Sequence, residues 1–229
     1  QDGDTVHIPA GQTLIVDVDR TAILKAVLVE GALIFAPDAD PNHHRTFDAE
    51  YIFVGKGAVF EAGTEDNRYT SKLTITMHGT RESPQIPVYG NKGIFVRYGQ
   101  LDIHGVVRDY TWTELGTTVE KGSNQITLNV KTDWQVGEEI VIAPTDFEVD
   151  HAEAFEITEV DNSGATTVLT LNTTTAYKHY AGAKDYTGSN GVNADMTKTL
   201  EMRAEVGLLT RNVVYKGADD DSVAKRYGA

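Results

Sequence analysis

The sequence contains no cysteine among its 229 residues, which excludes disulfides, cysteine-based zinc sites and thiol catalysis. Basic residues are few: 20 lysines and arginines face 34 acidic residues, and the net charge is −14. This balance argues against nucleic-acid binding and adhesion to anionic lipid, because surfaces that contact phosphates are normally basic. No apolar run reaches the roughly 18 residues of a membrane helix. The segment from Ala22 to Pro37 comes nearest, and Lys25 and Glu30 interrupt it.

Helical periodicity is also scarce, and only His151–Phe155 indicates a helix, of one turn at most. Short alternating runs of β-branched and aromatic residues dominate instead, separated by Gly, Asn and Asp, as is typical of half-buried strands and tight turns. The pattern predicts an all-β protein with almost no helix. The clearest strands are Thr13–Val18, Lys72–Met77, Gln125–Val130, Glu139–Ile142, Phe155–Val160 and Thr167–Leu171.

A seven-residue phrase occurs three times, with Gly first, an apolar residue third and Gly or Pro last. Its copies are Gly31–Pro37, Gly57–Gly63 and Gly99–Gly105, and Leu73–Gly79 is related to them. Each copy follows an apolar strand. Repeats of this kind are typical of stacked strands with glycine-bearing corners. The phrase therefore predicts a right-handed parallel β-helix, that is, a β-solenoid.

The sequence pattern changes after Gly116, where successive strand–turn–strand segments indicate antiparallel pairing. Phe155–Val160 and Thr166–Asn172 predict a hairpin whose turn is Asp161–Gly164. We therefore expect a β-solenoid at 1–116, a small antiparallel β module at 117–180, a loop at 181–199, and the start of a further parallel β-helix rung at 200–229.

Several phrases, in order, carry a family resemblance: Val6–Thr13, Val16–Asp19, Val29–Phe35, Gly63–Asp66, Leu73–Gly79, Pro87–Gly90 and Leu101–Gly105. With these the N-terminal half resembles the G8 domain, a glycine-marked module of large extracellular proteins. They include fibrocystin-like proteins and the cell-migration-inducing and transmembrane hyaluronidases. Thr111–Thr113, Trp134–Ile142 and Arg203–Asn212 resemble the fibrocystin-type continuation. The candidate family glycines are Gly11, Gly31, Gly57, Gly63, Gly79, Gly90, Gly99 and Gly105.

The resemblance implies a secreted or cell-surface location. It also implies that Arg203–Lys216 leads into further β-helix rungs, so we expect the chain to be a fragment of a larger protein. The unpaired backbone groups of its last rung would then be covered by more chain or by a neighbouring molecule. The expected partners are further domains of the same chain or copies of itself, and glycans are a further candidate partner. Nucleic acid and a membrane span in this segment are not expected.

Two surface features are candidate sites. Asn172-Thr-Thr174 is an N-glycosylation acceptor, and the extracellular context favours its use. Arg81, Lys92, Arg97 and Arg108 lie close in sequence and predict a polyanion-binding patch.

The sequence motifs give little support for a metal-binding site. Asp38–Asn42 has the opening spacing of a calcium loop, but His43 stands where Gly is needed and Ala49 where Glu is needed. The pair His43–His44 has no third metal-ligating residue at a sequence spacing typical of metal sites. We predict no metal site and no cofactor; calcium stays open without a motif. His78 and His104, each before a corner glycine, either line up as a ladder or, as we prefer, bond to the backbone.

Two functions remain open. The favoured one is a structural or adhesive module of a large, glycosylated, filament-forming or cell-surface protein. The alternative is a hyaluronan-like polysaccharide depolymerase or a carbohydrate-binding module, and enzymatic activity is left undecided, with a non-enzymatic role preferred. Glycoside hydrolysis needs two facing carboxylates, and no catalytic pair can be assigned. Glu61, Asp102 and Glu205 lie in strands, and Trp112 and Trp134 either stack on sugars or pack in a core.

Overall fold

A computed structural model describes residues 1–187, 197–220 and 224 of the protein. The chain forms two compact units. Unit 1 comprises Gln1–Val106 and the segment that begins at Arg211, and unit 2 comprises Val107–Thr210. The prediction of an all-β chain with almost no helix is confirmed. Among the described residues, the only helical element is a 3-10 turn at Val149–His151, just before the position at which one helical turn was expected.

Unit 1 contains two parallel sheets. Their orders are β1-β3-β5-β7-β18, with β8 also paired to β5, and β2-β4-β6-β9. The strands are β1 (Thr5–Ile8), β2 (Thr13–Val16), β3 (Leu24–Val29), β4 (Ala32–Phe35), β5 (His44–Val54), β6 (Val59–Ala62), β7 (Lys72–Met77), β8 (Gly93–Val96), β9 (Gln100–Ile103) and β18 (Val213–Gly217).

The alternation of side chains explains how unit 1 forms its core. In β7, Leu73, Ile75 and Met77 are buried while Thr74 and Thr76 between them are not, because successive side chains of a strand point to opposite faces. The same period places apolar side chains of neighbouring strands in one cluster. At its centre the Phe35 ring lies 5.1 Å from that of Phe47 and 5.3 Å from that of Phe60, measured between centroids.

Asn212 joins three segments of unit 1 that are distant in sequence. Its Nδ2 donates to the carbonyls of Tyr69 (2.7 Å) and Ser71 (2.8 Å), and its Oδ1 accepts from the Val106 amide at 2.9 Å. The Asn212 oxygen occupies the space beside Gly105, where a Cβ would overlap it. One side chain thus satisfies three backbone groups.

We expect Asn212→Ala to lower the free energy of unfolding by about 2–3 kcal/mol, because three backbone groups lose their partner at once. Asn67→Ala is the matched control, since Asn67 is exposed and its hydrogen bonds to other described residues are made by its backbone; its effect should stay within about 0.5 kcal/mol. Chemical denaturation followed by far-UV circular dichroism measures both. Equal stabilities of the two variants would contradict this role of Asn212.

Unit 2 is built on an antiparallel sheet of order β10-β17-β12-β13-β14-β11, and β15 pairs antiparallel with β16. The predicted hairpin is confirmed, since β13 and β14 pair antiparallel. The strands are β10 (Trp112–Glu114), β11 (Gln125–Thr127), β12 (Glu139–Ile142), β13 (Glu153–Asp161), β14 (Val168–Leu171), β15 (Ala183–Thr187), β16 (Thr197–Glu201) and β17 (Glu205–Leu208).

The predicted right-handed parallel β-helix with a small antiparallel module is wrong as the fold class of this chain. Among the strands that the structure describes, parallel pairing is confined to the two sheets of unit 1, and unit 2 contains a six-stranded antiparallel sheet rather than a minor addition. In the segment after residue 200, β17 pairs antiparallel with β10 and β12, whereas β18 pairs parallel with β7. The period-two alternation is the same in parallel and antiparallel strands, so it does not distinguish them.

The predicted segment boundaries at 116, 180 and 199 stay predictions. Part of the expected loop at 181–199 forms β15 and β16, and its residues 188–196 lie outside the described residues. So do 221–223 and 225–229 of the last predicted segment. Within the described residues, no helix has the length and apolar character that crossing a membrane requires.

Candidate functional site

The side of strands β10, β17, β12 and β13 that points away from the unit 2 core is a candidate recognition surface, called here the outer face. The inner side of these strands carries the buried residues Thr113, Val206, Ile140, Ile142 and Phe155. The outer face therefore carries the alternate positions. Register pairs place Trp112 opposite Gly207, Gly207 opposite Val141, and Val141 opposite Ala154.

Carboxylates border this apolar row on both sides. Glu114 lies opposite Glu205 on one side, and Glu139 lies opposite Glu156 on the other. Arg203 approaches Glu114 at 4.0 Å and pairs more closely with Glu201 at 2.5 Å. Within the described part of the chain, no basic side chain lies within ion-pair distance of Glu139, Glu156 or Glu205.

The two tryptophans have opposite environments. Trp134 is buried in the unit 2 core, and its indole N–H donates to the Tyr110 carbonyl at 2.8 Å. Trp112 is 57% exposed on the outer face. Of the two, only Trp112 has a ring that a ligand can reach.

Shallow cavities border the outer face at two places. One, of about 370 Å³, is lined by Tyr110, Trp112, Thr113 and Glu114. The other, also of about 370 Å³, includes Glu139, Glu156, Asn172 and Thr210 in its lining. The outer face thus offers an aromatic depression at one edge and a polar depression at the carboxylate pair.

The predicted glycosylation residue lies beside the polar depression. Asn172 follows β14 directly and is exposed. Its backbone amide donates to the Glu156 carbonyl at 2.9 Å, and its Oδ1 accepts from the Glu156 amide at 3.1 Å. The side chain is therefore held through its oxygen, and no described group accepts from Nδ2, the atom that a glycan would modify.

The four cations of the predicted polyanion patch do not share one environment. Lys92 is buried, with its Nζ 3.7 Å from Asp220. Arg108 belongs to unit 2, where it donates to Glu138 and to the Asp133 carbonyl. Only Arg81 and Arg97 are exposed. Polyanion binding at these residues stays a prediction.

The two histidines that precede corner glycines also differ. His78 Nε2 lies 2.7 Å from Asp48 Oδ1, on a carboxylate that is 6% exposed. His104 is held by its backbone, whose amide donates to the Ala62 carbonyl and whose carbonyl accepts from the Tyr69 amide. The structure thus gives His78 a side-chain partner that sequence reasoning did not name.

The remaining sequence candidates occupy surface turns and strands. In Asp38–Asn42, Asp38 and Asp40 accept from backbone amides two residues onward, and the Asp38 pKa is lowered chiefly by the Asp40 amide. His43 lies 3.0 Å from Asp19. Glu61 and Asp102 are register partners in unit 1, whereas Glu205 belongs to unit 2. No group of three or more metal-ligating side chains is found among the described residues.

The eight candidate glycines fall into two overlapping groups. Those with positive φ are Gly11, Gly57, Gly63, Gly79 and Gly90. Those where an added Cβ would overlap neighbouring atoms are Gly31, Gly63, Gly99 and Gly105. Their assignment as the family's glycines stays a prediction.

Sequence reasoning missed a buried pair in unit 2. His179 is fully buried, with Nδ1 3.0 Å from the Ala143 carbonyl and Nε2 2.9 Å from Glu153 Oε2. Both neighbouring atoms are oxygens that accept hydrogen bonds. Burial acts to raise the Glu153 pKa, but donation from the Ala176 amide, His179 and the Tyr177 amide outweighs it, and that pKa is lowered.

A second acid–histidine pair lies in the loop that precedes β13. His151 Nδ1 is 2.7 Å from Asp146 Oδ2, and its ring stacks on Tyr177 with 3.7 Å between centroids. The hydrogen bond with Asp146 raises the His151 pKa, and the same bond lowers that of Asp146. No spacing signal in the sequence pointed to either acid–histidine pair.

Comparison with known proteins agrees with the N-terminal phrases. The family model of the G8 domain matches residues 1–116. Fibrocystin-L of Homo sapiens is 36% identical over 220 residues, and that of Mus musculus is 34% identical. Each match covers 96% of this chain and 5% of the relative. Protein rliB of Dictyostelium discoideum is 28% identical over 229 residues, covering 96% of this chain and 18% of that protein. The chain belongs to the G8 domain family.

Proposed function

We propose that this chain is a structural or adhesive module of a large, secreted or cell-surface glycoprotein. The likeness to fibrocystin-L supports a module within a larger protein, because nearly the whole of this chain corresponds to 5% of that relative. The observation that carries the extracellular part is the exposed Asn172 side chain, held by its oxygen with Nδ2 free of any described acceptor. Further domains, copies of the chain and glycans are the partners that this role implies.

The adhesive part of the proposal rests on the outer face. A sheet that presents an exposed tryptophan and an apolar row on its solvent side leaves apolar area for a partner to cover. Trp112, Val141 and Ala154 provide that area on strands fixed by the sheet. A surface on rigid strands suits recognition, since its residues need little ordering when a partner binds.

Glycosylation gives the direct test. On expression in secretory animal cells, we expect an intact mass above the 25.0 kDa of the bare chain, returned to that mass by an amidase that removes N-linked glycans. Thr174→Ala removes the acceptor signal and should abolish the difference. Thr174→Ser retains it and should keep the glycan. A secreted wild-type chain with the bare mass would refute modification at Asn172.

A further inference from the structure

Two pairs of like charges face each other on the outer face. Glu139 is the direct register partner of Glu156, and Glu114 is that of Glu205. Like charges directly opposite each other on adjacent strands destabilise a sheet. A local rule broken without a compensating contact inside the protein is typical of a functional surface. The compensation is therefore expected from a cationic group outside this chain.

The structure shows the face accepting one such group from its own chain. The Arg203 guanidinium lies 4.0 Å from Glu114 and 2.5 Å from Glu201, so one of the two carboxylate pairs has an arginine nearby. Glu139 and Glu156 have no such neighbour among the described residues and are both exposed. Attraction for an external cation is consequently strongest at this second pair.

Between the two carboxylate pairs runs the apolar row of Trp112, Gly207, Val141 and Ala154. Three of its four members are small or medium-sized, and the large indole of Trp112 stands at the β10 end of the row. At Gly207 an added Cβ would lie 3.4 Å from Val141 Cγ1, so the glycine keeps the row low beside the indole. An extended segment with apolar groups on one side fits this shape.

The negative charge of the outer face determines which class of ligand it attracts. A second copy of the chain carries −14 and, like nucleic acids and anionic polysaccharides, would bring further negative charge to the glutamates of this face rather than neutralise them. A neutral oligosaccharide stacks on Trp112 but relieves no carboxylate repulsion. We propose that the outer face binds a basic polypeptide segment of another protein, with its apolar side chains along the Trp112–Ala154 row and its lysines or arginines at the glutamates. This inference rests on the proposed adhesive role.

The test uses the full chain and a synthetic peptide of alternating valine and lysine residues. Binding is followed by tryptophan fluorescence, since Trp112 is exposed and the other tryptophan is buried. We expect saturable binding, absent with a valine–glutamate peptide. The Glu139→Gln/Glu156→Gln variant should bind about tenfold more weakly. The control Glu65→Gln/Asp66→Asn removes two exposed acids of unit 1 and should change affinity by less than about twofold.

Melting temperature separates a binding role from a structural one. Removing like-charge repulsion should raise the melting temperature of Glu139→Gln/Glu156→Gln while its affinity for the peptide falls. Three outcomes overturn the proposal: no binding of the lysine peptide, an equal loss in both double variants, or unchanged binding in Trp112→Ala, which is measured by titration calorimetry because this variant lacks the fluorescent reporter. Binding of a neutral chitooligosaccharide that the glutamate variants leave intact would also overturn it. None of these results bears on the glycan mass, so failure of this inference is distinguishable from failure of the proposed function.

Discussion

Replacing Gly63 with alanine is expected to lower the free energy of unfolding by about 4 kcal/mol. Gly63 has φ +80°, which costs an L-residue roughly 1–2 kcal/mol. An added Cβ would also overlap the Tyr69 amide and lie 2.6 Å from the His104 carbonyl. These two groups bond to each other at 2.9 Å, so the backbone must move and break that bond, a further cost of about 1–3 kcal/mol.

Gly11→Ala separates the two causes. Gly11 has nearly the same φ, +78°, but a Cβ there would meet no atom within 4 Å. Its cost should be roughly 1–2 kcal/mol, from the backbone conformation alone. Because both tryptophans lie in unit 2, stability of unit 1 is measured by hydrogen exchange of the Tyr69 amide rather than by tryptophan fluorescence. Similar losses in the two variants would show that close packing at Gly63 contributes nothing.

Replacing Glu153 with alanine is expected to cost about 3–4 kcal/mol, because the buried His179 ring and two backbone amides lose their hydrogen-bond partner at once. Glu153 is 12% exposed and His179 is fully buried. The amides of Ala176 (2.7 Å) and Tyr177 (3.1 Å) lose the same acceptor. Denaturation followed by tryptophan fluorescence measures the loss in unit 2. Glu156→Ala, three residues along the same strand but on the outer face, should leave stability unchanged or slightly higher.

Acidification is expected to weaken the contribution of Glu153 to the stability of the folded protein. The Glu153 pKa is lower in the folded protein than its ordinary value of 4.5. The unfolded chain therefore binds more protons in this range, and the stability gained from ionised Glu153 is complete above about pH 4.5 and lost as the pH falls through the folded-state value. The difference in stability between wild type and Glu153→Gln should accordingly shrink on acidification below pH 4.5. A difference independent of pH from 7 to 3 would contradict this linkage.

The alternating runs predicted most strand positions well because they are a local property. Lys72–Met77 and Glu139–Ile142 are strands with the predicted bounds, since burial on one face selects the same period-two pattern wherever a strand lies. Pairing direction is not local in this sense. The repeat phrase of Gly31, Gly57 and Gly99 lies in the parallel sheets of unit 1. After residue 200 both directions occur, because β17 pairs antiparallel with β12 while β18 pairs parallel with β7.

The candidate site shows the same division. The sequon at Asn172 can be recognised from three consecutive residues. The alternating run before it predicts that it lies at the end of a strand. The contrast between Trp112 and Trp134 is not readable, because both lie beside similar strand patterns and only the register of β10 on β17 turns Trp112 outward. The outer face itself is assembled from four strands that span residues 112 to 207.

By itself, the sequence determined the all-β class, the strand positions, the acidic charge, the absence of cysteine chemistry and the resemblance to the G8 domain. Tertiary structure alone decided which strands are neighbours and in which direction, which tryptophan is exposed, and that Glu153 meets His179 and Asn212 meets Gly105. The physical reason is that alternation and turn chemistry act over a few residues. Burial, cross-strand charge pairs and shared hydrogen bonds depend on contacts between segments that are distant in sequence: 26 residues separate Glu153 from His179, and 143 separate Tyr69 from Asn212.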